Sequence, residues 1–107
     1  MTISEGVQVA HEDAVNKGFY TCGRCNGTGI GKRNVGEALM LIVSELGEAM
    51  EAHRKGYVLP ADVDITTSMT DSYFERYVKD TMEDELADVV IRVFDLCGYM
   101  HIDLENH

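Results

Sequence analysis

Four acidic residues, arranged as two pairs, are the residues of this chain best suited to chemistry. The pairs are Glu45 with Glu48 and Glu85 with Asp88. At the 3.6-residue period of an α-helix, a spacing of three residues places both carboxylates of a pair on one face. If the two helices pack side by side, four carboxylates converge, and oxygen ligands of this kind hold Mg²⁺ beside substrate phosphates. The pattern predicts a magnesium site that handles a nucleotide.

A solvated acidic helix face is the simpler interpretation of either pair taken alone. The second pair argues against it, because the residues that follow Asp88 are nearly all apolar. They include Val89, Val90, Ile91, Val93 and Phe94. Carboxylates beside so much apolar surface need a partner or a cation.

Length and charge narrow the function classes. The chain has 107 residues and a formal net charge of −10, so we expect one domain, spanning 1–107, whose core is completed by another copy of itself. Such an acidic surface repels DNA and RNA, which argues against nucleic acid as the main partner. The sequence has no apolar stretch of membrane-spanning length and no signal-peptide pattern, so we expect a cytoplasmic protein without a membrane partner.

Apolar residues at helical spacing predict an all-α fold, arranged as an antiparallel helical bundle. A capping box that begins at Thr2 predicts a first helix over about residues 3–17, which Gly18 can close. Asn34 is the predicted N-cap of a second helix, and Gly56 is its predicted end.

The second half of the chain is expected to contain a connector and a third helix. The connector covers about residues 57–71 and holds the proline of the sequence. A capping box at Ser72 predicts the start of one long helix that ends at Gly98. The tail beyond it has room for a short turn.

The segments around the acidic pairs resemble a known family. Residues 39–56, LMLIVSELGEAMEAHRKG, and 84–105, DELADVVIRVFDLCGYMHIDLE, are similar to the MazG-type all-α nucleoside triphosphate pyrophosphohydrolases. That family is defined by Glu-x-x-Glu, a spacer and Glu-x-x-Asp, and residues 11–19 and 33–34 also resemble it. The resemblance implies Mg²⁺-dependent cleavage of a nucleoside triphosphate to the monophosphate and pyrophosphate, with Mn²⁺ able to substitute, on a homodimer or homotetramer.

Carried over to this chain, the family motif implies that Glu45, Glu48, Glu85 and Asp88 are metal ligands and catalytic groups. Bound metal ions neutralise phosphate charge and lower the pKa of water, which then attacks phosphorus. Glu48 is the first candidate to accept the proton of this water. The sequence does not decide which carboxylate takes that role.

Substrate contacts are expected from basic, aromatic and amide residues. The candidates for phosphate binding are Lys17, Arg54 and Arg92, each with a solvated surface charge as the competing interpretation. Arg92 is favoured because it lies one turn after Asp88. The candidates near the base are His11, Phe19, Tyr20, Arg33 and Asn34. Packing in the core is the competing role for the aromatic residues.

A glycine-rich insertion at about residues 21–32 carries Cys22 and Cys25. A Cys-x-x-Cys pair supplies two of the four ligands of a structural Zn²⁺, so the alternatives are a zinc site completed by other residues and a pair of reduced thiols. Cys97 lies on the apolar stripe of the third helix and is expected in the core.

Two other classes of protein fit the same sequence. One is a helical oligomeric regulator that keeps the bundle without the chemistry. The other is a zinc-binding interaction module centred on Cys22 and Cys25, with the helices as scaffold. Metal analysis of the purified protein separates the zinc module from the enzyme.

Overall fold

A computed structural model describes residues 1–20, 33–60 and 70–107 of the chain. Within these ranges the secondary structure is entirely helical, which confirms the predicted all-α class. The helices are α1 (Ile3–Asn16), α2 (Val35–Lys55), α3 (Asp71–Tyr77) and α4 (Met82–Met100). The predictions for Cys22 and Cys25 lie outside the described residues. No helix in the described ranges has both the length and the apolar character needed to cross a membrane.

The first two helices begin and end as the sequence predicts. Thr2 caps α1 by accepting a hydrogen bond of 3.1 Å at Oγ1 from the N–H three residues later. Asn34 caps α2 in the same way, with a distance of 3.0 Å to its Oδ1. Gly18 and Gly56 follow the two helices with φ angles of +85° and +74°, which glycine adopts without steric cost.

The predicted third helix is wrong in its start and its continuity. Thr70, not Ser72, is the N-cap, and its side chain accepts a hydrogen bond of 3.2 Å from the Tyr73 N–H. The chain then leaves the helical path at Asp80, where φ is +64°. Thr81 starts a new helix, since its Oγ1 accepts a hydrogen bond of 3.2 Å from the Asp84 N–H. The single helix predicted for this part of the chain is therefore two helices, α3 and α4.

The predicted end of that helix at Gly98 is also wrong, because α4 continues to Met100. Gly98 serves close packing instead. A Cβ atom at this position would lie 2.4 Å from Cβ of His11 in α1, so any larger residue would force the two helices apart. The backbone turns away at His101, with a φ of +57°.

The chain forms two compact units. The first unit contains residues Met1–Ile42 and Val90–His107. In this unit α1 packs on the second half of α4, with Gly6 against the ring of Phe94 and Gly98 against His11. The contact nearer the N-terminus of α1 is also the one nearer the N-terminus of α4. The two helices therefore run in the same direction.

The second unit contains residues Val43–Val89. Here the end of α2 meets the start of α4, since the Met82 N–H donates to the Tyr57 carbonyl oxygen at 2.8 Å. The Leu59 N–H donates to Glu83 Oε2, also at 2.8 Å. Glu85, further along α4, lies beside Glu48, further back along α2. The two helices are therefore antiparallel within this unit.

Candidate metal centre

Three of the four predicted carboxylates come together in the second unit. Glu45 and Glu48 of α2 and Glu85 of α4 each offer one oxygen, and these oxygens all lie within 4.8 Å of one another. We call this group the acidic triad. The helical spacing of Glu45 and Glu48 puts both on one side of α2, and the antiparallel pairing of α2 with α4 brings Glu85 to them.

Glu85 is the buried member of the acidic triad. It is 6% exposed, and its Oε2 atom is buried without a hydrogen-bond partner. Burial raises the pKa of Glu85 to about 8. Glu48 and Glu45 add to this shift through hydrogen bonds and through the repulsion of like charges. An ionised Glu85 is therefore costly in this position unless a positive charge compensates it.

The oxygen atoms of the acidic triad fit a hard divalent cation. Mg²⁺ binds oxygen at about 2.0–2.1 Å, so two ligands on opposite sides of one ion are about 4.2 Å apart. The oxygens of the acidic triad lie within 4.8 Å of one another, which is close to that spacing. Three oxygen donors favour Mg²⁺ or Mn²⁺ over softer metals.

Asp88, the fourth predicted carboxylate, is not in the group of oxygens that lie within 4.8 Å of one another. It is partly buried and lies one helical turn after Glu85. A second acidic group joins Glu85 to Asp80 and Asp84. Asp84 Oδ2 accepts the Asp80 N–H at 2.9 Å, so the carboxylate of Asp84 in this group stabilises the turn that leads into α4.

A different cluster surrounds Asp95 in the first unit. Asp95 Oδ1 is hydrogen-bonded to His11 Nδ1 at 2.9 Å and accepts the Tyr20 hydroxyl at 2.8 Å. Its Oδ2 accepts Arg33 Nη1 at 2.6 Å. Arg33 Nη1 also donates to the Tyr20 hydroxyl at 2.8 Å, and the Arg33 N–H donates to the Tyr99 hydroxyl at 3.1 Å. We call these five residues the Asp95 network.

Aromatic packing completes the Asp95 network. The rings of Tyr20 and Tyr99 stack at 5.3 Å between centroids, and His11 meets Tyr20 edge-on at 5.1 Å. Burial raises the pKa of Tyr20 to about 12, and its hydrogen bond to Asp95 acts in the same direction. The Tyr20 hydroxyl therefore stays protonated and keeps donating to Asp95. Both Asp95 oxygens have donors, so the network holds α1, α4 and the start of α2 together.

The sequence patterns did not identify Asp95 or Tyr99 as site residues, although the position of Asp95 in the sequence is unusual. Asp95 interrupts the apolar run of α4, and an acidic residue at a buried helix position requires donors from elsewhere in the chain. His11 and Arg33 were both singled out from the sequence as substrate contacts, and the structure uses them as those donors.

The remaining predicted substrate contacts occupy varied places. Lys17 pairs with Asp13 at 2.8 Å and Arg54 pairs with Glu51 at 2.9 Å, each on the surface of its own helix. Arg92 is half-buried in α4. Phe19 is 70% exposed, which leaves its ring accessible for stacking.

Three comparisons with known proteins gave no match, whether with protein family models, with curated proteins or with solved structures.

Proposed function

We propose that this chain is a Mg²⁺-dependent nucleoside triphosphate pyrophosphohydrolase, which releases the nucleoside monophosphate and pyrophosphate. The observation that carries the proposal is Glu85, a buried carboxylate that lies beside two further carboxylates and has one oxygen without a hydrogen-bond partner. Neutral or cationic donors would normally satisfy such a group. A site that gathers negative charge instead is suited to a divalent cation and, through it, to phosphate oxygens.

Each member of the acidic triad has a place in this chemistry. Glu85 and Glu45 are the buried and half-buried ligands, held by two packed helices. Glu48 is exposed, so it can reach a water molecule as well as a metal ion and is our candidate for accepting the proton of the attacking water. When bound, Mg²⁺ would neutralise phosphate charge and lower the pKa of that water.

We also propose that Asp88 belongs to the same site as an outer ligand, and that the enzyme works as a homodimer or homotetramer. The resemblance of residues 39–56 and 84–105 to MazG-type enzymes supports both points. Phe19 remains our candidate for stacking on the base, because its ring is exposed.

Pyrophosphate release from a panel of canonical and modified nucleoside triphosphates, with and without Mg²⁺, tests this function. We expect Mg²⁺-dependent release with at least one substrate, and a loss of at least about 100-fold in Glu85→Gln and Glu48→Gln. Glu75→Gln is the matched control, because Glu75 is an exposed glutamate of the same unit that pairs with Lys79. Wild-type turnover in Glu85→Gln, or no release from any substrate, would contradict the proposal and favour a non-catalytic regulator.

A further inference from the structure

The turn between α3 and α4 carries a second group of carboxylates. Asp80, Asp84 and Glu85 each offer one oxygen, and these oxygens all lie within 4.8 Å of one another. We call these three residues the turn group. Glu85 belongs to the acidic triad as well, whereas Asp80 and Asp84 lie outside the two acidic pairs that the sequence analysis assigned to a metal. The turn group therefore offers a cation two ligands that the acidic triad does not use.

The backbone holds the turn group together. Asp80 has a φ of +64°, a conformation that aspartate adopts more readily than most residues because its short side chain can hydrogen-bond locally. The Asp80 N–H donates to Asp84 Oδ2 at 2.9 Å, which uses one of the two oxygens of Asp84. Lys79, the basic residue beside Asp80, pairs with Glu75 at 3.4 Å. The neighbouring positive charge is therefore directed to a carboxylate outside the turn group.

Glu85 supplies an observation that is independent of the clustering. It is 6% exposed, and its Oε2 atom is buried without a hydrogen-bond partner. The hydrogen bonds of Glu85 with Glu48 and Glu45 therefore involve Oε1. Since Glu85 belongs to both groups, Oε2 is the oxygen that it can offer to the turn group. A buried carboxylate oxygen without a donor is costly, and a bound cation removes that cost.

We infer that Asp80, Asp84 and Glu85 bind a second divalent cation, which shares Glu85 with the cation of the acidic triad. Carboxylate oxygens select a hard cation, and water molecules complete its coordination. A carboxylate that binds through both oxygens can hold two metal ions about 3.5–4 Å apart. Glu85 Oε1 then serves the acidic triad and Oε2 serves the turn group. The second cation fastens the turn to the start of α4, a role that does not require hydrolysis.

Electron paramagnetic resonance of the metal-free full chain with added Mn²⁺ tests the second cation. The signal of unbound Mn²⁺ gives the number of ions bound, which should reach about two per chain in the wild type. Asp80→Asn and Asp80→Gly should each bind about one ion fewer, because both remove the carboxylate but keep the backbone N–H and tolerate a positive φ. Asp71→Asn is the matched control. Asp71 is an exposed residue of the same unit outside both groups, so this variant should bind as the wild type does.

Magnetic coupling between the bound ions tests whether they share Glu85. Two Mn²⁺ ions bridged by one carboxylate couple, so the spectrum of the saturated wild type should differ from that of isolated ions. The coupling should vanish in Asp80→Asn and Asp80→Gly, and both variants should keep the circular dichroism spectrum of the wild type. Wild-type Mn²⁺ binding by the two Asp80 variants, or bound ions that do not couple in the wild type, would overturn the inference.

Glu45→Gln, measured in the same way, keeps this inference distinct from the proposed metal centre. Glu45 belongs to the acidic triad and not to the turn group, so this variant should weaken the other ion and keep the one that depends on Asp80. Loss of an ion in Glu45→Gln, with none lost in Asp80→Asn, would overturn the second cation and leave the proposed metal centre standing. The reverse pattern would support the second cation and contradict the proposed metal centre.

Discussion

Glu85 and Asp95 are two buried carboxylates on the same helix, each 6% exposed, with opposite surroundings. Asp95 receives hydrogen bonds from a histidine, a tyrosine and an arginine, so both of its oxygens are satisfied within the protein. Glu85 faces two other carboxylates and has one oxygen with no partner. Burial is the same in the two places, and the partners decide what each carboxylate does.

The contrast separates a structural group from a ligand-binding one. A buried charge with complete partners stabilises one arrangement of the chain, and removing it leaves those partners unpaired. A buried charge among like charges works against folding until a cation arrives. We therefore assign Asp95 to holding the first unit together, and we propose that Glu85 binds a metal ion in the second.

The largest expected effect is on stability in Asp95→Ala. Removing this carboxylate leaves Arg33 and Tyr20 without their shared acceptor, so the free energy of unfolding should fall by about 3–5 kcal/mol. Urea denaturation followed by circular dichroism measures this change. Asp103→Asn is the control, because Asp103 is exposed and bonds to nearby Asn106. A loss in Asp95→Ala no greater than in the control would end the assignment.

The next effect is on the pH dependence of the free energy of unfolding, to which Glu85 should contribute. Its folded pKa of about 8 exceeds the ordinary value of 4.5, so the folded state holds a proton that the unfolded state releases between these values. The stability that this proton contributes is fully present below pH 4.5 and is lost as the pH rises through 8. Without metal, wild-type stability should fall relative to Glu85→Gln by up to about 1.4 kcal/mol for each pH unit in that window.

Thermal or urea unfolding of both proteins across this pH range, with chelator present, measures the difference. Parallel curves for the wild type and Glu85→Gln would mean that Glu85 is not held protonated. The same pair of curves also serves as a control for general acid effects, since all other titrating groups are shared.

A smaller effect is expected for Tyr20→Phe. The hydroxyl of Tyr20 donates to Asp95 and accepts from Arg33, but Asp95 keeps its other two partners when this hydroxyl is removed. We expect a loss of about 1 kcal/mol in the free energy of unfolding, well below that of Asp95→Ala. A loss as large as that of Asp95→Ala would show that Tyr20, rather than the carboxylate, organises the network.

Local patterns predicted the parts of the fold that depend on neighbouring residues. The caps at Thr2 and Asn34 and the glycines at 18 and 56 define α1 and α2 as expected, because each acts within one helical turn. The break at Asp80 was missed, since helical apolar spacing continues on both sides of it and conceals the new start at Thr81.

The acidic triad was predictable only in part, because sequence patterns report on residues within about one helical turn of each other. Helical spacing pairs Glu45 with Glu48, but the partner of Glu85 depends on how α2 and α4 pack. Gly98 shows the limit most plainly, because its role is set by His11, far away in sequence, rather than by the helix that contains it. The donors of Asp95 come from three separate segments, and a linear pattern does not reveal such a cluster.

Isothermal titration of the metal-free protein with Mg²⁺ tests the central claim most directly, using Glu85→Gln and Asp103→Asn as a pair. We expect saturable binding to the wild type and to Asp103→Asn. Below pH 8, Mg²⁺ binding should release a proton, because Glu85 must lose its proton to become a ligand. The measured heat of binding should therefore vary with the ionisation enthalpy of the buffer. Glu85→Gln should bind far more weakly and release no such proton. Equal binding by the wild type and Glu85→Gln, or no binding by either, would contradict the account.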